Sequence, residues 1–114
     1  MTDHLNTIFI VDDTPVNLQV LFEYLKKAGF EVLVATQAED ALEAINHTLP
    51  DLILLDILMP DMDGFETCRR LKANEATRSI PVIFMTALTD SVDEVKGFEL
   101  GAVDYITKPF QVET

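Results

Sequence analysis

The sequence predicts an α/β fold: a parallel sheet with helices on both faces. Three observations carry this expectation. Short apolar runs alternate with stretches of helical period along the whole chain. One middle run, Leu52-Ile53-Leu54-Leu55, is uninterrupted, which suits a strand covered on both faces. Capping and breaking residues fall between the runs, at Thr14-Pro15, Gly29 and Gly101. Strands alternating with helices imply parallel pairing, and right-handed crossovers then place helices on both sides of the sheet.

The elements follow in order. Ile8-Phe9-Ile10-Val11 is β-branched and aromatic, and reads as the first strand. Thr14 suits an N-cap with Pro15 at the first helical position. Leu18, Leu21, Phe22 and Leu25 then recur at helical spacing, and Gly29 suits the position just past the helix end. Val32 to Ala35 is a second strand, and Ala38 to His47 a helix with Ala41, Leu42 and Ile45 inward. After the third strand, Leu52 to Leu55, comes a helix over Phe65 to Lys72. Pro81 to Met85 is a fourth strand, proline being tolerated at its start. Ser91 to Leu100 is a helix carrying Val92, Val95 and Phe98, and Val103 to Ile106 is a short fifth strand.

The chain has 114 residues, which fits one domain. Eight Lys and Arg against 20 Asp and Glu give a net charge of -12, so the domain repels nucleic-acid backbones and suits cations or a basic partner. The single cysteine, Cys68, rules out an internal disulfide or a cysteine-based zinc site and suits a reducing cytoplasm. No apolar run approaches the roughly 20 residues that span a bilayer.

Ligands of such sheets bind outside the carboxyl ends of the strands. Asp12-Asp13 ends the first strand, Asp56 the third, Thr86-Ala87 the fourth and Thr107-Lys108-Pro109 the fifth. Three carboxylates at one rim repel: two unit charges 4 Å apart interact by about 4 kcal/mol at an effective dielectric near 20. An all-oxygen site of this kind suits Mg²⁺. Lys108 supplies a second positive charge and Thr86 a hydroxyl. These are the parts for phosphoryl transfer to a side chain, with Asp56 as nucleophile and an acyl phosphate as product.

At this point the chain resembles the receiver domains of bacterial two-component response regulators, over Ile8 to Phe110. The matching elements are Val11-Asp12-Asp13, Leu54-Leu55-Asp56, Met59-Pro60-Asp61-Met62-Asp63-Gly64, Phe84-Met85-Thr86-Ala87, and Gly101-Ala102-Val103-Asp104-Tyr105 leading into Lys108-Pro109-Phe110. The resemblance implies a doubly wound, flavodoxin-like sheet of five parallel strands in order 2-1-3-4-5. It implies that Asp56 accepts phosphate from a sensor histidine kinase or a phosphotransfer protein. Asp12, Asp13, Asp56 and the main-chain carbonyl of Leu58 would hold Mg²⁺. Thr86 and Lys108 would bind the phosphoryl oxygens, and the Lys108-Pro109 bond is expected to be cis. Thr86 and Tyr105 would form a switch that reshapes the surface of the fourth helix and fifth strand for an output domain or partner, with a homodimer as one form. Leu58 and Leu88 flank the path of the hydrolytic water in the family; as leucines they predict slow self-dephosphorylation, which polar replacements at both should speed.

The family closes with a further helix, for which Gln111 to Thr114 leaves too little chain. Residues 1–114 are therefore expected to be the N-terminal receiver of a longer cytoplasmic protein, with the final helix largely missing and apolar sheet and first-helix surface uncovered.

Single residues also have plainer readings. Asp12-Asp13 alone fits a loop and helix cap, and Tyr105 fits static core. Asp61 and Asp63 read as turn formers before Gly64 rather than metal ligands. Asn17 reads as the polar face of the first helix, His4 and His47 as surface, Cys68 as packing, and the phenylalanines as core. Two other functions remain on the sequence. An aspartyl-phosphate hydrolase or phosphotransferase also starts from a strand-end aspartate, yet it needs a second acid two residues on, where Leu58 stands. A docking or dimerisation module independent of phosphate would not need the acid pair, acceptor, threonine and lysine together. The expectation is a stoichiometric phosphoacceptor rather than a turnover enzyme.

Overall fold

The computed structural model describes residues 6–57, 59, 62–86 and 104–107. Their order is β1 (Thr7–Val11), α1 (Pro15–Lys27), β2 (Glu31–Ala35), α2 (Ala38–His47), β3 (Leu52–Asp56), α3 (Gly64–Ala73), β4 (Val82–Thr86) and β5 (Asp104–Thr107). The five strands form one parallel sheet in the order β2-β1-β3-β4-β5, as expected. The helix expected over Ser91–Leu100 and everything from Lys108 onward, including the expected shortage of a last helix, lie outside the described residues.

Strand pleating sorts the core into two layers. Phe9, Val11, Ile53, Leu55, Val82 and Phe84 point to the face covered by α2 and α3, where they meet Ala38, Ala41, Ile45, Phe65, Cys68 and Leu71. The alternate residues Ile8, Ile10, Val32, Leu54 and Met85 meet Leu18 of α1, with Leu21 and Leu25 half-buried beside it. β3 is the central strand, and its Ile53, Leu54 and Leu55 are all buried. Phe65 of α3 meets Phe84 of β4 edge to face, ring centroids 5.2 Å apart.

Helix ends follow local chemistry. Gly29 takes φ +98°, a left-handed conformation that glycine adopts without steric cost. Its N–H donates to the Lys26 carbonyl at 3.1 Å and that of Phe30 to the Leu25 carbonyl at 3.1 Å, the Schellman closure of α1. Thr14 holds the N-cap position of α1, yet its side chain makes no capping bond. Asp63 caps α3 by accepting from the Glu66 N–H at 2.9 Å, so α3 starts at Gly64, one residue before the expected boundary. β5 begins and ends one residue later than expected.

One core expectation fails. Phe22 is 38% exposed. At helical pitch it lies about 60° round the helix from Leu25, off the centre of the apolar stripe. Its ring instead lies under the Lys26 ammonium, 6.0 Å from the centroid. Val34, on the edge strand β2, is 46% exposed.

Candidate functional site

Register builds the site. β1 and β3 pair with Val11 opposite Leu55, so the next residues, Asp12 and Asp56, emerge side by side at the carboxyl rim. The alternation that sends Ile8 and Ile10 towards α1 continues to Asp12, and that of Leu52 and Leu54 continues to Asp56. Asp12, Asp13 and Asp56 each offer a carboxylate oxygen, and the three oxygens lie within 4.8 Å of one another. Asp12 is fully buried and Asp56 is 3% exposed, whereas Asp13 faces solvent.

Local bonds aim Asp12. Its backbone N–H continues the sheet by donating to the Ala35 carbonyl at 3.1 Å. Its Oδ1 accepts from the Thr14 N–H at 2.9 Å, a turn that starts α1. Its Oδ2 accepts from Asn17 Nδ2 at 3.4 Å. Asn17, read from the sequence as a polar helix face lying near the site, thus reaches it through Asp12.

Two buried carboxylates beside a third, all oxygen donors, fit a hard divalent cation better than a soft one. Buried like charges at this spacing need a positive partner to offset repulsion and desolvation.

The other expected site residues divide in two. Thr86 ends β4 one residue beyond Met85, which pairs with Asp56, and it pairs with Thr107 at the end of β5. Both strand ends therefore reach the rim of the aspartates. Tyr105 sits in β5 opposite Phe84. Leu58, Leu88, Lys108 and Pro109 lie outside the described residues. Asp63 is an N-cap, as Asp–x–x–Glu spacing before a helix could have revealed.

The remaining titratable neighbours are structural. Glu66 accepts from Arg69 Nε and Arg70 Nε, both at 2.9 Å, and these hydrogen bonds hold its pKa at about 2. Cys68 is fully buried, and desolvation raises its thiol pKa while the Lys72 charge opposes that. A groove of about 330 Å³ beside the start of α3 is lined by Glu39, Met62, Asp63, Glu66 and Arg70, and by none of the three clustered aspartates. Among the described residues no helix is long and apolar enough to cross a membrane.

The chain belongs to the response regulator receiver domain family of two-component signalling, whose family model matches residues 8–114. It is 45% identical over 102 residues to the response regulator PleD of Caulobacter vibrioides, covering 90% of this chain and 22% of that protein. The chain thus spans about a fifth of that relative's length. A putative response regulator from Chloroflexus aurantiacus superposes with a TM-score of 0.90 at 38% identity, covering 95% of this chain and 88% of the other. The receiver domain of the sensor histidine kinase PA1611 from Pseudomonas aeruginosa superposes with a TM-score of 0.85 at 30% identity, covering 95% and 88%; it carries a magnesium ion in its active site cleft.

Proposed function

We propose that this receiver takes a phosphoryl group on Asp56 from a histidine kinase or a histidine phosphotransfer protein and passes the signal to an output domain or partner. The observation that carries the reading is the packing of Asp12, Asp13 and Asp56 within 4.8 Å at the carboxyl rim. The buried Asp56 carboxylate oxygen attacks the phosphorus of the donor phosphohistidine. A phosphorus–oxygen bond forms, the phosphorus–nitrogen bond breaks, and the imidazole leaves with the electron pair. Asp12 is held for its task by the Thr14 N–H and Asn17. Asp12, Asp13, Asp56 and the Leu58 carbonyl would hold Mg²⁺, as the magnesium-bound Pseudomonas receiver suggests. That cation supplies positive charge against the phosphoryl oxygens. Lys108 would add a second positive charge, and the hydroxyl of Thr86, the last residue of β4, would donate a hydrogen bond to the same oxygens. Movement of Thr86 and Tyr105 then alters the surface around β5 that a partner reads.

The rest of the reading follows from the family. The chain acts stoichiometrically and in the cytoplasm. Its net charge of -12 disfavours nucleic-acid binding by this chain. Leu58 and Leu88 offer no polar group to a hydrolytic water, so the phosphorylated form is long-lived; polar residues at both should shorten its life, measured as loss of the phosphoprotein mass.

The test is intact mass after incubation with Mg²⁺ and acetyl phosphate, with Asp56→Asn in parallel. One phosphate on the native chain and none on the variant is expected. A folded chain that stays unmodified overturns the reading in favour of phosphate-independent docking. Steady turnover of a small phosphate ester would overturn it in favour of a hydrolase.

A further inference from the structure

Gly64 sits where no side chain fits. Its φ is ordinary, so conformation does not require glycine there; space does. A Cβ at position 64 would collide with the carbonyl oxygen of Asp56 and lie 2.8 Å from Ile57 Cα and 2.9 Å from the Asp56 carbonyl carbon. Gly29 is the opposite case: its φ is left-handed and a Cβ would meet nothing within 4 Å.

The close approach has a bond built into it. The Gly64 N–H donates to the Ile57 carbonyl at 2.8 Å, and the Ile57 N–H donates to the Met85 carbonyl at 3.2 Å. The first residue of α3 is thereby locked onto Ile57, the residue just past β3, which is itself locked onto β4. Met59 and Met62 are buried between the two ends. Asp63 fixes α3 from the other side by capping Glu66. The direction in which the Asp56 carboxylate leaves the sheet is set by this main chain.

From this contact we infer that Gly64 is a positioning residue for the acceptor: its missing side chain lets α3 clamp the Asp56–Ile57 peptide and so set the spacing between Asp56 and the Asp12–Asp13 pair for a divalent cation. The inference rests on the receiver reading above. Alanine at this position displaces the Asp56 main chain, and loss of a supporting contact of this kind lowers metal affinity about 10–100-fold.

The test uses Mg²⁺ alone as the probe. Calorimetry gives its affinity for the native chain, Gly64→Ala and Leu71→Ala, the last of which loosens α3 without touching Asp56. Gly64→Ala is expected to bind at least about tenfold more weakly while Leu71→Ala binds as the native chain does. Native affinity in a folded Gly64→Ala, or equal weakening in both variants, overturns the inference. Selective ¹⁵N-glycine labelling decides the matter in the native chain even if Gly64→Ala fails to fold. Only four glycines are present, so signals are few. The Gly64 amide signal should move on adding Mg²⁺ and that of Gly29, at the far end of α1, should not. A stationary Gly64 signal in a chain that binds Mg²⁺ overturns the inference and leaves the receiver reading standing. A native chain that binds no Mg²⁺ takes both down.

Discussion

Asp51 and Asp56 bracket the same apolar run, one at each end of β3, and the fold uses them in opposite ways. At the amino-terminal rim the Asp51 carboxylate accepts from the Thr7 N–H at 2.7 Å, while its own N–H donates to the Thr7 carbonyl at 2.8 Å. The charge is spent closing the first rung between β1 and β3. At the carboxyl rim, about 17 Å away at strand pitch, Asp56 is 3% exposed and faces two more carboxylates. One aspartate stitches the sheet together; the other stores repulsion that a divalent cation would relieve. The difference teaches that the two ends of one strand can serve opposite purposes: a clasp on a neighbouring strand at one end, a meeting of acids from separate strands at the other.

The largest effect expected from breaking this contrast is at the carboxyl rim. Without Mg²⁺, Asp13→Asn should melt a few degrees higher than the native chain, because about 1 kcal/mol of repulsion is removed. Saturating Mg²⁺ should reverse the order, since a ligand at 100 times its dissociation constant stabilises by about 2.7 kcal/mol only the chain that binds it. A thermal melt with and without the metal checks both halves. An Asp13→Asn that never exceeds the native chain would mean the acids are not in conflict.

Smaller than the metal's contribution of about 2.7 kcal/mol is the loss expected at the amino-terminal rim. Asp51→Ala removes a charge-assisted bond to a strand amide and should destabilise by about 1–2 kcal/mol, read as a lower urea midpoint. Phosphate uptake at Asp56 should stay at the native rate once the chain is folded. Reduced uptake would join the two rims into one device.

The smallest effect concerns Glu66, a carboxylate whose charge is met by side chains instead. Its folded pKa, about 2, lies below its ordinary 4.5 because Arg69 and then Arg70 hydrogen-bond it. A depressed carboxylate pKa stabilises above the unfolded value and loses that contribution as pH falls through the folded value. The stability gap between the native chain and Glu66→Gln should therefore be constant above about pH 5 and close between pH 4.5 and 2. Solvent exposure keeps the gap small. Denaturation midpoints across that range test it, and a gap that widens on acidification would contradict the arginine contacts.

The sequence by itself determined the alternation of strands and helices, because a period of two or of 3.6 residues is a local property of the chain. It also determined where α1 stops, because the left-handed turn at Gly29 needs only its own residue type. The candidate acids Asp12, Asp13 and Asp56 were legible as strand-end aspartates. Tertiary structure alone decided what each end of β3 would meet. The pairing of Val11 with Leu55 puts Asp12 against Asp56, and that of Thr7's strand end with Asp51 makes the other acid a clasp. It decided that Phe22 would stay at the surface, since burial depends on which part of α1's apolar stripe the sheet covers. It decided, too, that Gly64 must lack a side chain, because the obstacle is the backbone of Asp56, eight residues earlier in the chain. Such contacts depend on strand register and crossover direction, which no window of neighbouring residues contains.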